Sequence, residues 1–265
     1  MRLAVFTLCF LLAGVDLLDA AEFSSTPYLA GQYFTWREYE GGGGRRILKE
    51  SGPLAAGGVK VDQRTDYWHL QEHLQIFGGA VGYKGETQAG VPISLNVDYV
   101  GYDASMLSGG RLPTRVGSFE PFAGIGYRWW ARNLHDTRTS SGTPVYGYTE
   151  RWENWYAKIG GRWDGSIAPA AKLYLEGGAK NPFFVANRVN FTGVGDVTFR
   201  PVGRWAPFGE AGVSWGRWQL TASYEGFRFS QSPLTSVRTS TGTSIYLQPD
   251  SSSDIWGLQL GYRFP

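Results

Sequence analysis

The feature that most constrains the fold is a strict alternation of side-chain type over the last stretch of the chain. Large apolar residues occupy every second position: Trp256, Leu258, Leu260, Tyr262 and Phe264. Small or polar residues occupy the positions between them: Gly257, Gln259, Gly261 and Arg263. Because successive side chains of a β-strand point to opposite faces, this pattern predicts a strand with one apolar face and one polar face.

Four earlier stretches repeat the alternation: 117–132, 152–164, 169–180 and 216–229. Strands of a soluble sandwich turn their apolar face to a core, whereas strands of a membrane barrel turn it to lipid. Bulky aromatic residues stand at strand ends, as Trp155 and Trp163 do, which is typical of a membrane interface. The polar faces also combine glycine with charged residues, as a narrow lumen requires. The pattern therefore favours the barrel, and the soluble sandwich is the alternative.

The composition agrees with an all-β chain. The sequence holds 37 Gly, 11 Trp, 15 Tyr and 15 Phe, a mixture that suits strands and turns better than helices. After the first 20 residues, no stretch is apolar over the length that a transmembrane helix needs. The formal net charge of +2 is too small to indicate a nucleic-acid partner.

The N-terminus predicts a cleaved secretory signal. A basic second residue precedes an apolar run from Leu3 to Val15, and Ala20-Ala21 supplies the small residues at which a signal peptidase cleaves. We therefore expect residues 1–20 to be a signal peptide and residues 21–265 to form a single barrel domain. The one cysteine, Cys9, would leave with the signal, so the mature chain would have no thiol for a disulfide or for catalysis.

The predicted barrel is closed and antiparallel, with about ten strands. The predicted strands are 28–39, 53–62, 72–84, 92–103, 117–132, 152–164, 169–180, 204–215, 216–229 and 253–264. An even number of strands places both termini on the periplasmic side. The long segments 133–151, 181–203 and 230–252 are then outer loops.

Two segments leave the strand count open between eight, ten and twelve. Segment 104–116 is long for a periplasmic turn and could hold further structure. Segment 187–192 alternates again, so it could extend a strand or add a pair of strands.

The last strand resembles the C-terminal strand of the bacterial outer-membrane β-barrel proteins. The resemblance rests on Leu258, Leu260, Tyr262 and Phe264, which look like the family's signal to the barrel-assembly machinery. Family members usually end at the aromatic residue, and this chain adds Pro265. The resemblance implies a place in the outer membrane of a Gram-negative bacterium and contact with outer-membrane lipid. It also implies the assembly machinery as a partner during biogenesis.

Charged residues of the polar faces are predicted to point into the lumen: Glu120, Arg128, Arg132, Lys158, Arg162, Lys172, Glu176, Glu210, Arg217, Glu225 and Arg263. They could pair with one another and fill the lumen, or they could line a narrow, porin-like pore with a basic bias. A barrel of about ten strands is close to the size that side chains can fill, so we favour the filled lumen.

The sequence carries none of the catalytic motifs that we sought. The Asp-x-His spacing of omptin proteases and the His-x-Ser spacing of outer-membrane phospholipases and lipid A deacylases are both absent, and His135-Asp136 is the nearest pair. His69 and His73 would lie about 13 Å apart on one strand face, too far to share a metal ion. The Gly41–Gly44 run lacks the Lys-Ser/Thr of a phosphate-binding loop. We therefore predict no catalytic, cofactor-binding or metal-binding residues.

Three functions are compatible with the sequence. The first is a non-enzymatic barrel that binds an extracellular ligand, still unknown, or displays its outer loops. The second is a narrow channel for small solutes, and the third is a membrane-embedded hydrolase. The lack of a catalytic motif and the expected filling of the lumen favour the first.

Overall fold

The computed structural model describes residues 22–87, 90–191, 195–239 and 242–265, so the predicted signal peptide and Cys9 lie outside the described residues. The strand segments are β1 (Glu22–Tyr39), β2 (Arg46–Arg64), β3 (Trp68–Glu86), β4 (Pro92–Gly110), β5 (Leu112–Thr114), β6 (Gly117–Leu134), β7 (Thr137–Arg138), β8 (Pro144–Val145), β9 (Thr149–Ala168), β10 (Ala171–Phe191), β11 (Gly195–Phe199), β12 (Val202–Arg204), β13 (Ala206–Trp215), β14 (Trp218–Ser230), β15 (Thr235–Thr239), β16 (Gly242–Tyr246) and β17 (Asp250–Tyr262). No helix in this part of the chain is long and apolar enough to cross a membrane.

Ten of these segments form one closed antiparallel barrel. Around the wall they follow the order β1-β2-β3-β4-β6-β9-β10-β13-β14-β17, and β17 pairs with β1. The short β12 pairs with β14 beyond β13 and continues that wall strand. The other segments belong to the connections, where β5 pairs with β6, β7 with β8, β11 with β10, and β15 with β16. The predicted all-β, closed, antiparallel barrel of about ten strands is confirmed.

The pairing of the first and last strands closes the wall. Tyr33 lies opposite Trp256, and Leu29 lies opposite Leu260, in the ladder between β1 and β17. Just beyond β17, the backbones of Ser25 and Phe264 exchange two hydrogen bonds of 3.0 and 2.8 Å. Because every wall strand has two neighbours, the wall presents no open edge to lipid.

The outward face of the wall is an apolar belt. Its residues are exposed rather than buried: Ile125, Ile159, Leu175, Leu220, Leu258 and Leu260. Aromatic residues border the belt on both sides, with Tyr33, Trp256 and Tyr224 on one border and Trp218, Tyr262 and Phe264 on the other. A continuous apolar surface between two aromatic borders is the outer face of a barrel embedded in lipid.

The two ends of the barrel differ in their connections. One end carries both ends of the wall and the tight turn Gly216-Arg217 between β13 and β14. Gly216 has a φ of 57°, a left-handed conformation that glycine adopts without steric cost. The other end carries the long connections from β6 to β9 and from β14 to β17. Termini and short turns lie on the periplasmic side of such barrels, so the long connections are extracellular.

Several strands are longer than the sequence pattern predicts. β2 begins at Arg46, ahead of the predicted start at residue 53, and β4 runs to Gly110 through part of the predicted turn 104–116. Beyond the membrane, an outward side chain need not be apolar. The alternation of polarity is therefore lost there, although the hydrogen-bonded ladder continues.

β10 departs from the pattern for an additional reason. A bulge between Pro182 and Phe184 shifts the register of its pairing with β9, so the alternation changes phase by one residue. The alternation predicted from residue 187 onward belongs to the end of β10, which forms a hairpin with β11.

A charge placed in the apolar belt should destabilise the barrel. Ile159, midway between Trp155 and Trp163 on β9, is 51% exposed. We expect Ile159→Arg to lower the free energy of unfolding by about 2–4 kcal/mol, because the charge would enter hydrocarbon. Denaturant unfolding in lipid vesicles measures the effect.

Leu112 provides the matched control, since it is 54% exposed but lies on the periplasmic segment β5. Leu112→Arg should lower the free energy of unfolding by less than about 1 kcal/mol. Equal destabilisation by the two substitutions would contradict the position of the belt.

Candidate functional site: the lumen and the extracellular cleft

The inward side chains nearest the extracellular end form a cluster around one arginine. Arg132 Nε lies 2.8 Å from Glu150 Oε2, Nη1 lies 3.1 Å from Glu50 Oε1, and Nη2 lies 3.1 Å from Glu38 Oε1. The four residues come from β6, β9, β2 and β1, so the guanidinium joins distant parts of the wall. All four are buried. We call them the Arg132 cluster.

Aromatic donors complete the contacts of these carboxylates. Each carboxylate accepts one hydrogen bond from an aromatic side chain: Glu38 from Trp36 Nε1, Glu150 from Trp152 Nε1 and Glu50 from the Tyr99 hydroxyl. Buried charges are tolerated where they are both paired and hydrogen-bonded. The cluster meets both conditions.

An aromatic cluster lies against the Arg132 cluster inside the lumen. The ring centroids of Trp36 and Trp152 are 5.1 Å apart, those of Trp130 and Trp152 are 5.4 Å apart, and those of Trp152 and Phe229 are 5.5 Å apart. The four rings come from β1, β6, β9 and β14, and Trp152 is 0% exposed. We call these four residues the tryptophan cluster.

A second set of charges fills the middle of the lumen. Arg128 Nη1 lies 3.5 Å from Asp103 and 3.8 Å from Glu225, while Lys180 Nζ lies 3.3 Å from Glu225. The same cations stand over aromatic rings, with Arg128 4.2 Å from the centroid of Phe77. Pairing and ring contacts together compensate for the burial of these charges.

A third set of charges lies towards the periplasmic end. Lys60 Nζ lies 2.5 Å from Glu210, and Arg162 Nε lies 2.9 Å from Asp164. Glu120 has two neighbours, with Arg111 Nε at 2.8 Å and His69 Nδ1 at 3.0 Å.

Cavities lie within the lumen and at both ends of the barrel. A cavity of about 10 Å³ lies among Phe34, Trp36, Phe77, Tyr99, Arg128, Trp130, Phe227 and Ser253. That volume is near the minimum for one water molecule. Two larger cavities open at the ends of the barrel, one of about 890 Å³ at the periplasmic mouth and one of about 730 Å³ among the extracellular loops.

The structure places the predicted lumen charges in two groups. Eight point into the lumen: Glu120, Arg128, Arg132, Lys158, Arg162, Glu176, Glu210 and Glu225. The other three, Lys172, Arg217 and Arg263, are exposed and line the periplasmic mouth. These three lie at the rim, where the lumen opens to solvent.

The sequence pattern missed all three carboxylates of the Arg132 cluster, Glu38, Glu50 and Glu150. Glu50 and Glu150 lie at strand positions outside the predicted strand ranges, although each is buried in the lumen. For Glu150 the sequence did contain a short piece of the alternation, since Glu150 and Trp152 are two residues apart and both lie on the inward face of β9. The predicted assembly residues Leu258, Leu260, Tyr262 and Phe264 lie at the outward face and the end of β17.

The extracellular cavity is a polar cleft. It is lined by Asn133, Leu134, His135, Asp136, Gly147, Tyr148, Thr149, Arg151 and Asn190. His135 Nε2 lies 2.7 Å from Asp98 Oδ2, and Asp136 Oδ1 accepts a hydrogen bond of 2.7 Å from the Gly147 amide. The predicted His135-Asp136 neighbours therefore bond to other partners and not to each other.

The remaining two histidines lie in the lumen on β3. His69 Nε2 is 2.8 Å from Asp62, and His73 Nε2 is 2.6 Å from the Tyr28 hydroxyl. Within the described ranges, no group of three or more His, Asp or Glu side chains is placed to hold a metal ion.

The extracellular connections pack together into a platform. Val189, Val197 and Phe199 of the β10–β11 hairpin form a small buried cluster. Phe191 joins this hairpin to its neighbours, with ring centroids 5.2 Å from Tyr148 and 5.3 Å from Tyr246 of β16. We call this assembly the loop platform.

Removing the cation of the Arg132 cluster should destabilise the protein strongly. We expect Arg132→Leu to lower the free energy of unfolding by about 3–5 kcal/mol, because three buried carboxylates lose their partner. Denaturant unfolding in lipid vesicles is again the measurement.

Arg45 is the matched control, since it also contacts two carboxylates, Glu40 at 2.8 Å and Glu86 at 2.6 Å. Its hydrogen bonds hold the pKa of the Glu86 carboxyl below the ordinary value, but the site is exposed. Arg45→Leu should leave stability unchanged within error, as is typical of exposed pairs. A loss of stability as large as that caused by Arg132→Leu would contradict the conclusion that burial makes the ion pairs of Arg132 important for stability.

Comparisons with known proteins identify the fold. No protein-family model and no curated sequence matches the chain. Among solved structures, the outer membrane protease OmpT from Escherichia coli is similar with a TM-score of 0.53 and 13% identity, over 93% of this chain and 97% of that chain. An identity this low establishes the fold alone.

Two further structures are more distant. The translocator domain of autotransporter NalP from Neisseria meningitidis has a TM-score of 0.42 and 13% identity, covering 98% of this chain and 96% of that chain. An outer membrane channel from Pseudomonas putida F1 has a TM-score of 0.40 and 11% identity, covering 91% of this chain and 95% of that chain. With its closed ten-stranded wall and its lipid-facing belt, the chain has the fold of the bacterial outer-membrane β-barrel proteins.

Proposed function

We propose that this protein is a non-conducting, non-enzymatic outer-membrane barrel that binds an extracellular ligand on its loop platform. The observation that carries the proposal is the packing of two buried clusters, the tryptophan cluster and the Arg132 cluster, across the lumen. Both clusters join residues from several wall strands, so they form part of the folded wall and not of a loop that could swing aside.

The surface of the platform supports a binding role. Tyr146, Leu234 and Ile245 lie on extracellular connections and are exposed, although they are beyond the lipid-facing belt. Large apolar side chains that face water are commonly contact points for a partner. The polar cleft beside His135 supplies hydrogen-bonding groups within the same end of the barrel.

A conductance measurement separates this proposal from the channel alternative. We expect the wild-type protein in planar lipid bilayers to give no stable single-channel steps, because the tryptophan cluster and the Arg132 cluster pack across the lumen. The protein must first be shown to be folded by its altered mobility on unheated detergent gels. Stable unitary steps from folded protein would overturn the proposal.

One observation favours a hydrolase as the second candidate. His135 and Asp98 lie 2.7 Å apart at a polar cleft, and a histidine paired with a carboxylate can activate water. Under our proposal, the protein in vesicles does not hydrolyse phospholipid or a peptide mixture above the rate of empty vesicles. Activity that His135→Ala abolishes, with folding retained on the gel, would establish the hydrolase instead.

The loop platform should depend on Phe191. We expect Phe191→Ala to release the β15–β16 hairpin, because its ring contacts to Tyr148 and Tyr246 are lost. Added protease should then cleave the extracellular loops of intact cells faster. Tyr146→Ala is the control, since Tyr146 is exposed, and it should leave the cleavage rate unchanged. Equal cleavage of the wild type and Phe191→Ala would contradict a packed platform.

A further inference from the structure

The cavity at the periplasmic mouth of the barrel is lined by an excess of cations. Its volume of about 890 Å³ lies within the range of roughly 300–1,000 Å³ that holds a small molecule. Three carboxylates line the cavity, those of Asp62, Asp66 and Asp164. Among the described residues, the lining also includes the cations Arg64, Arg111, Arg162, Lys172, Arg217 and Arg263.

Two of these cations are neutralised by the protein. Arg162 Nε lies 2.9 Å from Asp164 Oδ2, and Arg111 Nε lies 2.8 Å from Glu120 Oε1. Both cations belong to the part of the wall between β4 and β9. The positive charge of that side is therefore used within the protein.

Three further cations lie on the opposite side of the mouth and are not neutralised. Lys172 of β10, Arg217 of the turn between β13 and β14, and Arg263 after β17 are exposed. Among the described residues, none of the three takes part in an ion pair. The Arg263 amide donates a hydrogen bond of 2.7 Å to the Arg217 carbonyl, so these two residues are held next to each other.

Arg64 of β2 extends this set and has a buried donor without an acceptor. Its side chain is only 15% exposed, and its Nη2 lies 3.7 Å from Asp62 Oδ1, beyond hydrogen-bond distance. That oxygen already contacts His69 Nε2 at 2.8 Å and accepts a hydrogen bond from Gln71. Arg64 Nε is buried and has no hydrogen-bond partner among the described residues. An unpaired buried donor is unfavourable, and an oxyanion bound in the mouth would supply its acceptor.

The four unneutralised cations, Arg64, Lys172, Arg217 and Arg263, form an arc around the mouth, which we call the cation arc. β10 and β17 are three strands apart in the wall, or roughly 14 Å at about 4.8 Å for each strand, and β2 lies two strands further. A single phosphate ion contacts only part of such an arc. A molecule with several phosphate groups can contact more of it at once.

We propose that the cation arc binds a soluble small molecule that carries several phosphate groups and enters from the periplasmic side. The planar guanidinium of each arginine binds two phosphate oxygens at once, and the Lys172 ammonium adds a point charge. The cation arc lies at the opposite end of the barrel from the loop platform. The proposal therefore does not depend on the ligand proposed for that platform.

Isothermal titration calorimetry of the purified full barrel in a non-ionic detergent tests the proposal. The probes are inorganic tripolyphosphate, orthophosphate and a short-chain phosphatidylglycerol. We expect tripolyphosphate to bind saturably at one molecule per barrel, and orthophosphate to bind roughly tenfold more weakly, because it contacts fewer cations. Equal affinity for the two, or no saturable binding of tripolyphosphate below about 1 mM, would overturn the proposal.

The phosphatidylglycerol probe separates a soluble ligand from a lipid headgroup. We expect this lipid not to displace tripolyphosphate when the two are present at equal concentration, because its single phosphate contacts only part of the cation arc. Displacement under that condition would assign the site to a lipid and would overturn the proposal.

The variant Lys172→Gln/Arg217→Gln/Arg263→Gln removes the exposed members of the cation arc. We expect it to bind tripolyphosphate roughly 30-fold more weakly, at about threefold for each cation. The control Lys84→Gln/Arg138→Gln/Arg204→Gln removes the same charge from exposed positions near the extracellular end and should bind as the wild type does. Wild-type affinity in the first variant, or equal loss in both, would contradict the site.

Gel mobility before and after heating shows whether each variant is folded. Should the triple variant of the cation arc not fold, Lys172→Gln/Arg217→Gln decides, since it leaves the last strand and its C-terminal residues unchanged. A loss of affinity for tripolyphosphate of roughly tenfold supports the site, and an unchanged affinity refutes it.

Discussion

A backbone that crosses lipid must satisfy every one of its hydrogen bonds, and the pairing of β1 with β17 allows this chain to do so. The pairing converts a sheet with two open edges into a closed wall. It also fixes which residues face lipid, since a shift of one residue would exchange the two faces of a strand. The apolar belt and the aromatic borders both depend on that register.

Closure creates a second constraint, because a ten-stranded wall encloses a narrow space that its own side chains must fill. The chain fills it with charges as well as rings. Arg132 binds carboxylates from three other wall strands, and Trp152 contacts rings on β1, β6 and β14. Such contacts join the wall across the lumen. We place the proposed function at the extracellular end of the barrel, where the loop platform lies.

The sequence alone predicted the strands of the wall and their two faces. It did not predict which side chains contact one another across the lumen. Alternation such as that from Trp256 to Phe264 depends only on neighbouring residues and on lipid, so it identifies strands and their faces directly. Glu50 could not be assigned to the lumen, because β2 extends beyond the membrane, where no apolar partner face marks a strand.

The bulge at Pro182 likewise changes the phase of β10 without a signal in the sequence. Lys172, Arg217 and Arg263 alternate like lumen residues but lie at the rim, since the pattern contains no information on where the wall ends.

The central claim is that the lumen is filled, and chemical labelling of a lumen residue tests it most directly. Asn154 lies on the inward face of β9 and is fully buried, whereas Thr143 lies on an exposed extracellular connection. A single cysteine is introduced at either position, and the folded protein in lipid vesicles is treated with a water-soluble maleimide. The account predicts that Asn154→Cys stays unlabelled until the protein is unfolded, while Thr143→Cys is labelled at once. Labelling of folded Asn154→Cys at the rate of Thr143→Cys would show a water-filled lumen and would contradict the account.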